Sequence, residues 1–212
     1  MEDTAAARPR RGRPRAEDAG EVDRRILDAA TAVILENGYG RATMEQIADA
    51  ARAGKTTLYS RYPTKADLFA AVVSRSNETF ALADRSPESG VPLRERVITA
   101  GEEVADLTLT PESIALMRAT SAESETFPEI AREGFRLGFE NCARHVARAL
   151  ADDATEESID AAMPLAKRFV ELALHPLYMH AFFGTDLAEL RERSRACVIE
   201  VADHLLATTE LS

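Results

Sequence analysis

Residues 24–69 read RRILDAATAVILENGYGRATMEQIADAARAGKTTLYSRYPTKADLF, and the way this stretch divides into helices decides the fold. Ile26, Leu27, Ala30, Val33 and Ile34 recur at three- and four-residue intervals, the period of one helix face, and Asn37-Gly38 stops that helix, which starts near residue 22. Thr43 can cap the next helix while Gln46, three residues on, reaches back to it as a capping box. Met44, Ile47, Ala48 and Ala51 form its buried stripe. A break at Arg52-Ala53-Gly54 leads to a third short helix over roughly 55–61, ended by Pro63. Residues 50–66 carry Arg52, Lys55, Arg61 and Lys65 and no acid. Two short helices across a tight turn, with bases gathered on the second, make a helix-turn-helix candidate.

The flanks continue in the same style. Thr64 opens a fourth helix with Asp67 three residues later, and Leu68, Phe69, Val72 and Val73 line one side. DRSPESGVP at 84–92 is a linker. Pro92, Pro111 and Pro128 read as first-turn prolines, where a missing N–H is harmless, giving helices near 92–107, 111–124 and 128–151. An apolar segment from about 156 to 183 holds Pro164 and Pro176, both placed to kink it; Gly184 closes it, and a last helix covers about 186–207. No segment alternates with period two. The expected fold is all-α: a basic arm over 1–20, disordered when free, a helix-turn-helix domain over 21–66, and a helical ligand-binding and dimerisation domain over 67–212.

Charge needs the same local reading. The net charge is −10 over 212 residues, which looks wrong for a nucleic-acid partner. Residues 1–70, however, hold 12 Lys and Arg against 11 Asp and Glu, and the remainder 14 against 25. Residues 8–15, RPRRGRPR, carry five arginines and no acid. Phosphates respond to such patches and not to the molecular sum. No apolar run approaches membrane-spanning length, and the Arg-rich N-terminus has no apolar stretch behind it, so a cytoplasmic location is expected.

Residues 24–69 resemble the N-terminal domain of the TetR family along their whole length. The match lies in Ile26-Leu27 and Ala29-Ala30, Asn37-Gly38, Thr43, Ile47-Ala48, Thr57-Leu58-Tyr59, Tyr62, Lys65 and Leu68-Phe69. The resemblance implies a homodimeric transcriptional repressor that binds a palindromic operator in double-stranded DNA and is released by a small, apolar ligand. It implies that Thr43 presents its hydroxyl to a phosphate and that Lys55, Thr56 and Thr57 enter the major groove. Tyr59, Ser60 and Tyr62 would offer hydroxyls to phosphates, Arg61 could reach backbone or base, and Lys65 would clamp a phosphate. Three positions depart from the family pattern. Arg52 and Thr56 stand where glycine is common, and Gly54 replaces a capping serine. Arg52 needs either a left-handed conformation, at about 1–2 kcal/mol, or a turn of different build. Arg11-Gly12-Arg13-Pro14-Arg15 resembles an AT-hook core for an A·T minor groove; a non-specific basic arm is the alternative.

Beyond residue 70 there is no catalytic motif, so no enzyme and no cofactor are expected. Cys142 and His145 lie one turn apart but do not complete a metal site; both read as core. Residues 108–135 resemble the regulatory domain of the AefR-like branch. Met117, Phe127, Phe135, Phe139, His145 and Tyr178 are the candidate ligand contacts. Leu187, Leu190, Ser194, Cys197 and Val201, with Val198 and Leu205 beside them, form a seam at alternating three- and four-residue spacing, the expected dimer interface. The rival readings are an architectural DNA-binding protein without a ligand, a transcriptional activator, and an enzyme with a DNA-binding head.

Overall fold

The computed structural model describes residues 16–82 and 90–209, and within them ten helices and no strands. The three-helix head consists of α1 (Ala16–Arg41), α2 (Met44–Ala50) and α3 (Lys55–Arg61), joined through α4 (Lys65–Leu82) to the body. The body holds α5 (Leu93–Thr108), α6 (Pro111–Ala122), α7 (Pro128–Leu150), α8 (Glu156–Ala173), α9 (His175–Phe182) and α10 (Leu187–Thr209). The linker expected at 84–92 lies outside the described residues except for 90–92. So does the basic arm expected over 1–20, with Arg11, Arg13 and Arg15, except for 16–20, which are helical and not the disordered chain expected there. The first helix starts at Ala16, six residues before the periodicity begins, because AEDAGE has no apolar stripe to reveal it.

Helix ends follow the local chemistry. Gly38 takes φ 76° and ψ 157°, so the regular part of α1 stops at Asn37, and only a short turn follows to Arg41. Thr43 Oγ1 accepts from the Gln46 N–H at 3.2 Å and Gln46 Oε1 accepts from the Thr43 N–H at 2.9 Å, the anticipated reciprocal box. Thr64 and Asp67 make the same exchange at the start of α4. Pro111 and Pro128 open α6 and α7, whereas Pro92 sits one residue outside α5 as its cap. Pro164 lies inside an unbroken α8, and the apolar segment instead divides at Leu174, before Pro176.

Two apolar clusters result. One joins α1–α4 around Ile26, Ile34, Ile47, Leu58 and Phe69, and takes in Leu116 from α6. The other fills the body around Val104, Leu109, Val146, Phe169, Leu174 and Leu190. Leu68, Phe69, Val72 and Val73 of α4 all belong to the head's cluster, so this helix is a shared wall and no simple tether. Two close approaches fix the body's position. A Cβ on Gly101 would lie 2.7 Å from the Phe169 ring and 2.9 Å from Val198, so α5 meets α8 and α10 almost backbone to side chain. A Cβ on Gly134 would lie 2.9 Å from Thr120 and 3.3 Å from Phe69, bringing α7 down onto α6 and α4.

Candidate nucleic-acid interface and ligand cavity

The turn between α2 and α3 sets what α3 can present. Arg52 adopts φ 49°, the left-handed one of the two alternatives open to it. Its N–H donates to Asp49 O at 3.1 Å and the Ala53 N–H donates to Ala48 O at 2.9 Å. That pair of bonds is a Schellman closure, built here on arginine in place of glycine. The Gly54 cap offers no side-chain bond to α3. Below the turn, Leu58 is fully buried and anchors α3. Lys55, Thr56, Thr57, Tyr59 and Ser60 are all exposed, and Thr43 lies exposed at the start of α2. Lys55 Nζ stands 3.7 Å from Glu45 Oε1, a surface pair that a phosphate or base acceptor could displace at little expense. These exposed residues offer hydroxyls and one cation to solvent, groups of the kind that can donate to phosphates and base edges.

Three other candidates are engaged elsewhere. Tyr62 donates its hydroxyl hydrogen to Asp23 Oδ1 at 2.9 Å, and Arg61 Nη1 donates to the same oxygen at 3.0 Å. Tyr62 therefore has no donor left for a phosphate, and with Arg61 it ties α3 to α1. Burial, then the Asp23 hydrogen bond, push its phenol up to about 12. The phosphate clamp expected of Lys65 is not the arrangement found. Its ammonium donates to the carbonyls of Tyr39, Gly40 and Ala42 at 2.8, 3.2 and 3.0 Å, which uses all three hydrogens. It also sits 4.4 Å from the centre of the Tyr39 ring. Lys65 thus fastens the start of α4 to the α1–α2 connection. The sequence could not separate the two roles, because a phosphate and a run of carbonyls want the same ammonium.

Between α4 and α9 lies a cavity of about 720 Å³. Met117, Phe135, Phe139 and Tyr178 line it. Phe127 and His145 do not. Phe127 packs edge-on against Tyr39, ring centres 5.3 Å apart, and belongs to the head's cluster. His145 is 5% exposed in the body core, with Nε2 2.7 Å from Glu103 Oε2. Their helical spacing matched a pocket face, yet a helix turned by one or two residues buries a different set.

The cavity also recruits residues that no motif marked. Val73 of α4, Thr108 of α5, Ser121 and Ser124 near the end of α6, Arg132 and Cys142 of α7 and His175 of α9 all reach it. Thr108 Oγ1 donates to Val104 O and so accepts from the Tyr178 hydroxyl at 2.8 Å. Burial pushes the Cys142 thiol up to about 12 and lowers His175, so both are uncharged near neutrality. Close by, Glu123 Oε1 accepts the Gly40 N–H at 2.9 Å, bridging α6 to the head.

The dimer seam needs correction. Leu190, Ser194, Val198 and Leu205 are at most 4% exposed and pack within their own chain, while Leu187, Cys197 and Val201 are half-buried. A three-four spacing marks a buried face without saying whose core it enters. On α10 and α8 the exposed large apolar side chains are Ile199 and Leu172, at 39% and 45% exposure. Among the described residues no cluster of three or more His, Cys, Asp or Glu could hold a metal ion, and no helix is long and apolar enough to cross a membrane.

Comparison with known proteins follows the same division. Residues 26–72 match the bacterial regulatory proteins of the tetR family, and residues 95–208 match the AefR-like transcriptional repressor C-terminal domain. The chain belongs to the TetR family. The HTH-type transcriptional activator FasR of Mycolicibacterium smegmatis is 30% identical over 170 residues, spanning 79% of this chain and 67% of that protein. The DNA-binding transcriptional repressor TetR of Mycobacteroides abscessus is 36% identical over 55 residues, 26% of this chain and 29% of that protein. Among solved structures, a TetR-family regulator from Mesorhizobium loti superposes with a TM-score of 0.67 at 22% identity, covering 90% of this chain and 97% of that one. The flavonoid-responsive regulator FrrA gives 0.64 at 26%, covering 86% and 95%. As a TetR-family member this chain is a DNA-binding transcriptional regulator with an all-α fold.

Proposed function

We propose that the protein is a homodimeric, cytoplasmic repressor whose hold on a palindromic operator is weakened when a small apolar molecule fills the cavity. One observation carries this reading: the helix that walls the cavity also positions the DNA-reading element. Val73 lines the cavity, while the start of the same α4 is fastened by Lys65 to the connection leading into α2. A ligand that prefers one placement of α4 lowers operator affinity by the factor by which DNA lowers ligand affinity. The relative named a repressor supports repression, and the flavonoid-responsive regulator supports a response to a small molecule. The relative named an activator supports a second reading, in which the same coupling recruits transcription.

The dimer joins the outer faces of α8 and α10 through Leu172 and Ile199. Two recognition helices then read half-sites about one helical turn, 10–10.5 base pairs, apart. Selection of the purified protein against random duplexes tests the reading. It should enrich one palindrome with that spacing or a multiple of it. Enrichment of A·T content alone would leave an architectural protein in its place.

A further inference from the structure

The cavity has a polarity that its volume does not express. Among the described residues, Arg132 is the one charged side chain on its wall and no carboxylate lines it. The deep groups are neutral: a hydroxyl pair at Thr108 and Tyr178, a protonated Cys142, and an uncharged His175. Arg132 stands one turn from Arg136, yet the two differ. Arg136 spends its charge on Glu133 and Glu140 at 2.6 and 2.5 Å, whereas Arg132 forms no ion pair among the described residues. Ser121 and Ser124 line the same α6–α7 end with hydroxyls that donate to no group of the described chain. Arg132, Ser121 and Ser124 are all exposed, so a guanidinium and two hydroxyls stand on the solvent rim of an apolar cavity, a set that complements an anion attached to an apolar body.

We infer that the cavity takes an apolar monoanion whose carboxylate meets Arg132 while its hydrocarbon lies along Phe135, Phe139 and Met117. This rests on reading the cavity as the effector site. Either a flexible aliphatic chain or a flat aromatic body satisfies it, since rings and aliphatic side chains share the wall.

The test uses the full-length protein and two matched pairs of probes: dodecanoate with its methyl ester, and 2-naphthoate with 2-naphthamide. Calorimetry should find at least one acid binding about tenfold more tightly than its neutral partner, and the better pair names the body. Arg132→Gln should remove that preference by weakening the acid alone. Gly138 lines the cavity, and a Cβ there meets nothing within 4 Å, so Gly138→Phe should abolish binding without disturbing the fold. Equal affinity for acid and neutral partner, or no binding of any probe, overturns the inference. Operator affinity measured alongside separates the two layers. A probe that binds through Arg132 but leaves operator affinity unchanged sinks the effector reading and spares the ligand class.

Discussion

Replacing Leu190 and replacing Ile199 with aspartate, both on α10, should give opposite phenotypes. Leu190 is 0% exposed within one chain, packed in the body's own core. Losing a buried leucine costs about 2–5 kcal/mol. An unpaired carboxylate in its place adds several kcal/mol more. The sum rivals the roughly 5–15 kcal/mol that hold a domain folded, so Leu190→Asp should not yield a native monomer but an unfolded or insoluble chain. Ile199 is 39% exposed, and its replacement should leave the protomer's stability within about 0.5 kcal/mol. In a two-fold dimer, however, each substitution occurs twice. At about 2 kcal/mol per buried apolar anchor, the pair costs about 4 kcal/mol, close to a thousandfold in dissociation constant. Circular dichroism with sedimentation equilibrium reads both quantities. A folded, monomeric Leu190→Asp protein would refute the assignment of that residue to the protomer core. A fully dimeric Ile199→Asp, with Leu172→Asp also dimeric, would refute the interface.

Other consequences concern the head. Arg52→Gly should raise stability by about 0.5–1 kcal/mol relative to Arg52→Ala in thermal melts, because only glycine relieves the left-handed backbone without steric cost. Equal melting of the two variants would mean that φ 49° carries no strain. Tyr62 has a folded pKa raised to about 12 from 10.0, so its stabilising effect is complete below pH 10 and is lost as pH climbs through about 12. The stability advantage of wild type over Tyr62→Phe should therefore shrink across that window in denaturant titrations, and an advantage constant with pH would contradict the Asp23 contact. Lys65→Met should lower the melting temperature, since about 2 kcal/mol of charge-assisted bonding to three carbonyls is lost even after allowing for solvent. An unchanged melt would return Lys65 to the DNA.

What the sequence made legible was local. Caps, stops and first-turn prolines act over three or four residues, so the roles of Thr43, Gly38, Pro111 and Pro128 are legible in the sequence alone. The outward residues of α3 came from the family resemblance, with Leu58 read as core. The body was less legible because its faces depend on partners distant in sequence. Periodicity showed that Leu190, Ser194 and Val198 were buried without showing that the covering surface belongs to the same chain. Phe127 looked like a pocket aromatic until Tyr39, far away in sequence, took its edge. Arg132 carried no motif at all; the cavity beside it and its lack of an ion pair among the described residues set it apart from Arg136.

The central claim, a sequence-reading α3 on a TetR-family head, is tested most directly by one ratio. That ratio compares affinity for the selected palindrome with affinity for a scrambled duplex of equal length at one fixed salt concentration. It should be about 10³ or more for the wild-type protein. In a protein with Lys55, Thr56 and Thr57 all changed to alanine it should fall by at least about tenfold, since each good base contact is worth about 1–3 kcal/mol. A wild-type ratio near one, or a triple variant that keeps the full ratio, would contradict the account.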